Sequence, residues 1–175
     1  MKTNEEYNHL AENYRTYKNK SLINIFRCGK VLYSAKKELP KGMFNVFLSD
    51  SRVKESVRTS QRLISIYKNF RHLVDHERKM APLSGLGVTA LIELQRLPDR
   101  FRKDIEVEEG EYTKIVKVMD EDKISDFLDK SIQYNGKQIH IRDLQVADIK
   151  KQILEERGEV KGSQVADIND ELQND

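Results

Sequence analysis

Arg58, Thr59, Gln61, Arg62 and Ser65 fall within one short run, Ser56-Val57-Arg58-Thr59-Ser60-Gln61-Arg62-Leu63-Ile64-Ser65-Ile66-Tyr67-Lys68-Asn69-Phe70. Arg and Gln can each make paired hydrogen bonds, to guanine and adenine respectively, and Ser and Thr add single hydroxyls, so these types suit base edges in a DNA major groove. Lys41, Arg52, Lys54, Lys68 and Arg71 lie around the run and suit phosphates. At helical spacing Leu63, Ile66, Tyr67 and Phe70 would face a core. Arg58, Gln61, Arg62, Ser65 and Lys68 would share the opposite side, where nothing acidic falls. An ordinary amphipathic helix with a solvated basic face has the same pattern, so the rest of the chain must decide between the two.

Other reactive residue types do not assemble into a catalytic set. His72 and His76 stand four apart, a spacing that can hold a metal, but His72-Leu73-Val74-Asp75-His76 lacks a Glu directly after its first His and offers no third ligand. Gly85-Leu86-Gly87 has neither a third glycine nor a preceding strand, which argues against a dinucleotide loop. Cys28 has no His partner nearby and reads as a small buried thiol. Asp120-Glu121-Asp122 and residues 106–111 read as solvated acidic loops. The expectation is a protein that is not an enzyme and uses no metal and no cofactor.

The elements that must position the basic run come from composition and periodicity. The chain has 175 residues, 38% of them hydrophobic and 34% charged, which allows one domain with a modest core, or one domain with a smaller appendage. A single cysteine excludes an intramolecular disulfide and points to a reducing cytoplasm. No apolar run approaches the roughly 20 residues that span a bilayer, and Met1-Lys2-Thr3-Asn4-Glu5-Glu6 has no hydrophobic signal region. The net charge of +2 is unevenly spread: residues 1–80 hold 17 Lys and Arg against 8 Asp and Glu, and residues 81–175 hold 14 against 21. The first half therefore suits a polyanion, and the acidic second half suits a protein partner or nothing.

Thr3-x-x-Glu6 has the spacing of a capping box for a first helix bearing Tyr7, Leu10, Tyr14 and Tyr17, an arm weakly apolar enough to pack against a partner subunit. A second helix is expected at about 22–39, where Gly29 costs about 1 kcal/mol relative to Ala and signals close approach of a neighbouring helix. Met43, Phe44, Phe47 and Leu48 make a two-turn helix, 49–55 a connection, and Ser56 an N-cap for the basic run, in the order of a helix-turn-helix. That run could extend through Leu73 and Val74 to Lys79. Helices are expected at 88–97, 99–105, 122–132 and 146–157, and residues 106–111 read as an acidic hinge. Tyr134-Asn135-Gly136-Lys137 signals a turn, and 138–141 alternates like a strand but, without an obvious partner, reads as extended loop. The expected class is all-α: an arm at 1–20, a helix-turn-helix domain at 21–105, a smaller helical region at 112–157 and a disordered acidic tail at 158–175. Gln145-Val146-Ala147-Asp148-Ile149 echoes at 164–168, and two copies are too few for a repeat fold.

Three pieces, residues 29–39 (Gly29-Lys30-Val31-Leu32-Tyr33-Ser34-Ala35-Lys36-Lys37-Glu38-Leu39), 42–48 (Gly42-Met43-Phe44-Asn45-Val46-Phe47-Leu48) and 56–62, together resemble a phage and plasmid helix-turn-helix family of unknown function. Leu86-Gly87-Val88-Thr89-Ala90-Leu91 with Leu97-Pro98-Asp99-Arg100 resembles the segment that follows there and, more distantly, the central DNA-binding domain of ParB/KorB-type partition proteins. Phe47 stands where the family usually has Trp, the 49–55 connection is longer than its usual one, and the ParB nucleotide-handling motifs are absent. The resemblance implies double-stranded DNA binding, regulatory or partition-like, as a homodimer. The main alternative is a helical protein-interaction module, and a second is a structural helical protein that only neutralises nucleic acid.

Overall fold

The computed structural model describes residues 4–17, 21–74 and 76–159. Within them α1 (Asn4–Tyr17) leads to α2 (Leu22–Glu38), α3 (Met43–Ser49) and α4 (Val57–Phe70), then α5 (Val88–Leu94). A ribbon of β1 (Arg102–Glu109) and β2 (Tyr112–Met119) follows, then α6 (Glu121–Leu128), a hairpin of β3 (Ser131–Tyr134) and β4 (Lys137–His140), and α7 (Val146–Glu156). The tail at 160–175 and the echo at 164–168 lie outside the described residues, as does the Thr3 end of the expected capping box.

Helices α2 and α4 form the centre. Phe26, Val31, Leu32 and Ala35 of α2 are buried with Leu63, Ile66 and Phe70 of α4, and the Phe26 and Phe70 rings stack at 5.8 Å. Gly29 lets the helices meet: a Cβ there would stand 2.4 Å from the Leu63 carbonyl oxygen and 2.8 Å from Tyr67 Cβ. The close approach read from a costly mid-helix glycine is thus real, and Leu63, Ile66 and Phe70 face the core as their spacing requires. Ile64 and Ser60 are buried with them, the Ser60 hydroxyl donating to the Val57 carbonyl at 2.8 Å. The tyrosine-bearing α1 belongs to the same core: Leu10, Ala11 and Tyr14 are buried, and Tyr7 meets the Phe47 ring edge-on at 5.5 Å.

The all-α expectation fails, because two antiparallel hairpins interrupt the helices. Residues 106–109, read as hinge, are the end of β1, and the turn at 110–111 uses Gly110 at φ 66. Ile105 pairs with Val116 and Lys103 with Val118 in the register of the ribbon. In β1 Asp104, Glu106 and Glu108 alternate with Ile105 and Val107 at the period of two of a half-buried strand, whereas β2 sets Ile115 beside Val116 and buries only Val118 and Met119 at its end. The expected 99–105 helix is one 3-10 turn, Asp99–Phe101, followed by strand. In the second hairpin Asn135 and Gly136 both take positive φ, 50 and 73, as a two-residue type I′ loop demands. The partner missing from the sequence is Ser131–Tyr134, because α6 stops at Leu128 and does not reach 132. Likewise α4 ends at Phe70, and 3-10 turns replace its expected extension. One core cluster runs from Leu10 to Ile153, through the segments assigned to separate domains. Among the described residues no helix is long and apolar enough to cross a membrane.

Candidate nucleic-acid interface

The Ser56 side chain starts α4 as expected, accepting the Thr59 N–H at 3.0 Å. This cap satisfies one orphan donor of the first turn and fixes where the helix face begins. Arg58 and Gln61 then stand exposed and Arg62 half-exposed, and none of the three has a hydrogen-bond or ion-pair partner among the described residues. Thr59 is partly turned to the cap, with its Oγ1 2.9 Å from Ser56 Oγ. Ser65 is committed inward: its hydroxyl donates to Gln95 Oε1 at 2.6 Å, the same oxygen that Asn69 Nδ2 reaches at 3.1 Å. Arg102 completes this network through Asn69 Oδ1 and the Gln95 carbonyl, both at 2.8 Å. The structure therefore brings Arg58, Gln61 and Arg62 together on an open face, keeps Thr59 at its edge and withdraws Ser65.

The five phosphate candidates separate in the same way. Lys41 and Lys68 are exposed. Lys54 is also exposed and sits at φ 47, left-handed for a side-chain-bearing residue. Arg52 is spent inside the connection, where Nε and Nη2 grip the two Asp50 carboxylate oxygens at 2.9 and 2.7 Å. It also reaches Asn8 at 3.2 Å and Glu12 at 3.4 Å. These hydrogen bonds hold the Asp50 carboxyl far below the usual carboxylate range. The long 50–56 connection is thereby an ordered turn, with Val53 fully buried and the Asp50 carbonyl accepting the N–H groups of Val53 and Lys54. Arg52→Ala should lower the unfolding temperature yet leave the salt dependence of any DNA binding unchanged. A shallower salt slope in that variant, measured by fluorescence anisotropy, would return Arg52 to the phosphate-contacting set.

Arg71 is nine-tenths buried, with the rings of Tyr33 and Tyr67 5.8 and 5.7 Å from its guanidinium carbon. Beside it, Glu109 at the end of β1 accepts from Tyr33 at 3.1 Å and Lys114 at 2.7 Å, and lies 3.6 Å from Lys37. Lys114 above all holds the Glu109 carboxyl at about 2, against an upward push from burial. Sequence reasoning missed the lysines of β2 altogether. Their only signal covers Lys114, which shares the strand period of Val116 and Val118, and it becomes visible only once β1 supplies a partner strand.

Among the described residues no group of three or more metal-binding side chains occurs. His72 Nε2 lies 2.8 Å from buried Glu121, and His76 is exposed. Cys28 is buried, in keeping with an inert thiol. Set against known proteins, the chain matches no family model, no curated protein and no solved structure.

Proposed function

We propose that the chain is a sequence-specific double-stranded DNA-binding protein, regulatory or partition-like, belonging to a plasmid or phage. One observation carries this reading: a capped helix, preceded by a short helix and anchored on α2, presents Arg58, Gln61 and Arg62 outward, without partners among the described residues. Arg and Gln held that way are ready for bidentate contacts to guanine and adenine in a major groove. Lys41 and Lys68 flank them as phosphate contacts, and a homodimer on paired half-sites belongs to the same reading. Selecting bound sequences from a random duplex pool tests it, and failure to recover any motif would sink it. On the selected site Arg62→Ala should cost about 1–3 kcal/mol and relax specificity, whereas Lys68→Ala should weaken all duplexes alike.

The interaction-module alternative has its own support in three exposed apolar side chains, Met43, Val46 and Val57, on α3 and the start of α4. A module of that kind would retain no duplex at moderate salt, and Arg62→Ala would leave its partner affinity unchanged.

A further inference from the structure

Beside α4 lies a groove of about 610 Å³ lined by α4, β2 and the second half of α2. Five cations line it, Lys36, Lys68, Arg71, Lys114 and Lys117, together with the amides of Gln61 and Asn69, and no carboxylate is among the lining residues. Four of the cations are exposed lysines, so they form the rim, and buried Arg71 forms the floor. Among the described residues neither Lys36 nor Lys68 has an acidic partner. Lys114 and Lys117 are steadied from outside the groove, by Glu109 at 2.7 Å and Asp99 at 3.3 Å.

Arg71 supplies the sharper sign. Among the described residues its Nε and Nη1 are buried without any hydrogen-bond partner, and Glu109 stands 3.9 Å from Nη2, beyond hydrogen-bond reach. Buried guanidinium donors left unpaired are costly, and a fold that orders them against two neighbouring tyrosine rings holds them ready for an anion. A guanidinium suits carboxylate and phosphate alike, but four lysines around it favour a run of negative charges, which a chain of phosphates supplies and a single carboxylate does not.

We infer that this groove binds the phosphate groups of a nucleic-acid backbone, with Arg71 beneath them and the lysines of α2, α4 and β2 along their path. The inference deepens the DNA reading and rests on it for the source of the phosphates. Gln61 joins the two surfaces, since it both lines the groove and belongs to the outward base-facing set. With the start of α4 in a major groove, β2 lies along the adjacent backbone.

The test uses the full chain and a Lys114→Gln, Lys117→Gln double variant, whose replaced side chains are exposed and leave the core untouched. Duplex affinity is measured across a salt series, and thermal unfolding is followed with and without inorganic pyrophosphate. The double variant should lose the same factor on selected and scrambled duplexes, its salt slope should fall by about 2, and pyrophosphate should raise its unfolding temperature less than the parent's. Duplex binding with an unchanged slope and an unchanged pyrophosphate response overturns the groove and leaves the DNA reading standing. A parent that binds no duplex, yet is stabilised by pyrophosphate only when both lysines are present, overturns the DNA reading and keeps the groove as a site for a free phosphate ester.

Discussion

Replacing Gly29 with Ala should destabilise the protein by about 2 kcal/mol or more, although the same change elsewhere in a helix stabilises. In an open helix interior Ala is favoured over Gly by about 1 kcal/mol, which sets the baseline. Here the added Cβ would meet the Leu63 carbonyl oxygen at 2.4 Å and Tyr67 Cβ at 2.8 Å. The first is a backbone atom in the middle of α4, with no rotamer to escape into, so α2 and α4 must separate. Overpacking of this kind costs typically 1–3 kcal/mol and occasionally more, and a contact this short belongs to the upper end once the gain in helix propensity is offset. For a chain of this length each kcal/mol moves the unfolding temperature by roughly 2–4 °C, so a drop of at least 4 °C should appear by circular dichroism. A functional consequence accompanies it: Phe26, stacked on Phe70, and Gly29 together set the tilt of α4, and its outward face would shift with them. An unfolding temperature equal to or above the parent's would show that the two helices do not approach as closely as described.

Gly29 was legible in the sequence because its reason is local: a glycine inside a helical pattern has few explanations. The Ser56 cap and the core-facing side of α4 were legible for the same reason, each needing only residues within one or two turns. The β1–β2 ribbon was not. Asp104, Glu106 and Glu108 alternate with Ile105 and Val107, and read alone this is an acidic stretch; pairing of Ile105 with Val116 and Val107 with Lys114, across the Gly110 turn, turns it into a half-buried strand. Availability of side chains was also hidden to different degrees. The grip of Arg52 on Asp50 spans two residues and could have been suspected from Asp50-Ser51-Arg52. The capture of Ser65 by Gln95 spans thirty, and nothing in the local sequence announces it. Residue type therefore identified which side chains suit DNA, and tertiary partners decided which remain open to it.

Glu121→Gln should cost on the order of 3 kcal/mol near neutral pH, with the loss fading as the solution is acidified. Glu121 is 3% exposed in the first turn of α6 and ties three separate segments together. Lys103 of β1 donates to its Oε2, His72 Nε2 lies 2.8 Å from the same oxygen, and Lys79 stands 3.8 Å from Oε1. Burial pushes the carboxyl up, but the hydrogen bonds from Lys103, the backbone and His72 more than offset it and hold it at about 2, below its ordinary 4.5. A carboxylate depressed in the folded state contributes stability above its unfolded value, and that stability drains away as pH falls from 4.5 towards 2. The interval between those values corresponds to roughly 3 kcal/mol, or about 6–12 °C in unfolding temperature. His72 acts in the same direction at higher pH. Burial holds its imidazole below the ordinary 6.5 despite Glu121, so the folded protein keeps it neutral and loses stability as pH drops below 6.5. Unfolding temperatures of parent and Glu121→Gln should therefore lie furthest apart above pH 4.5 and converge below it. Curves that stay parallel from pH 7 to pH 3 would mean that the charge of Glu121 contributes nothing and that the knot joining α6 to β1 and the 3-10 turn after α4 holds by packing alone.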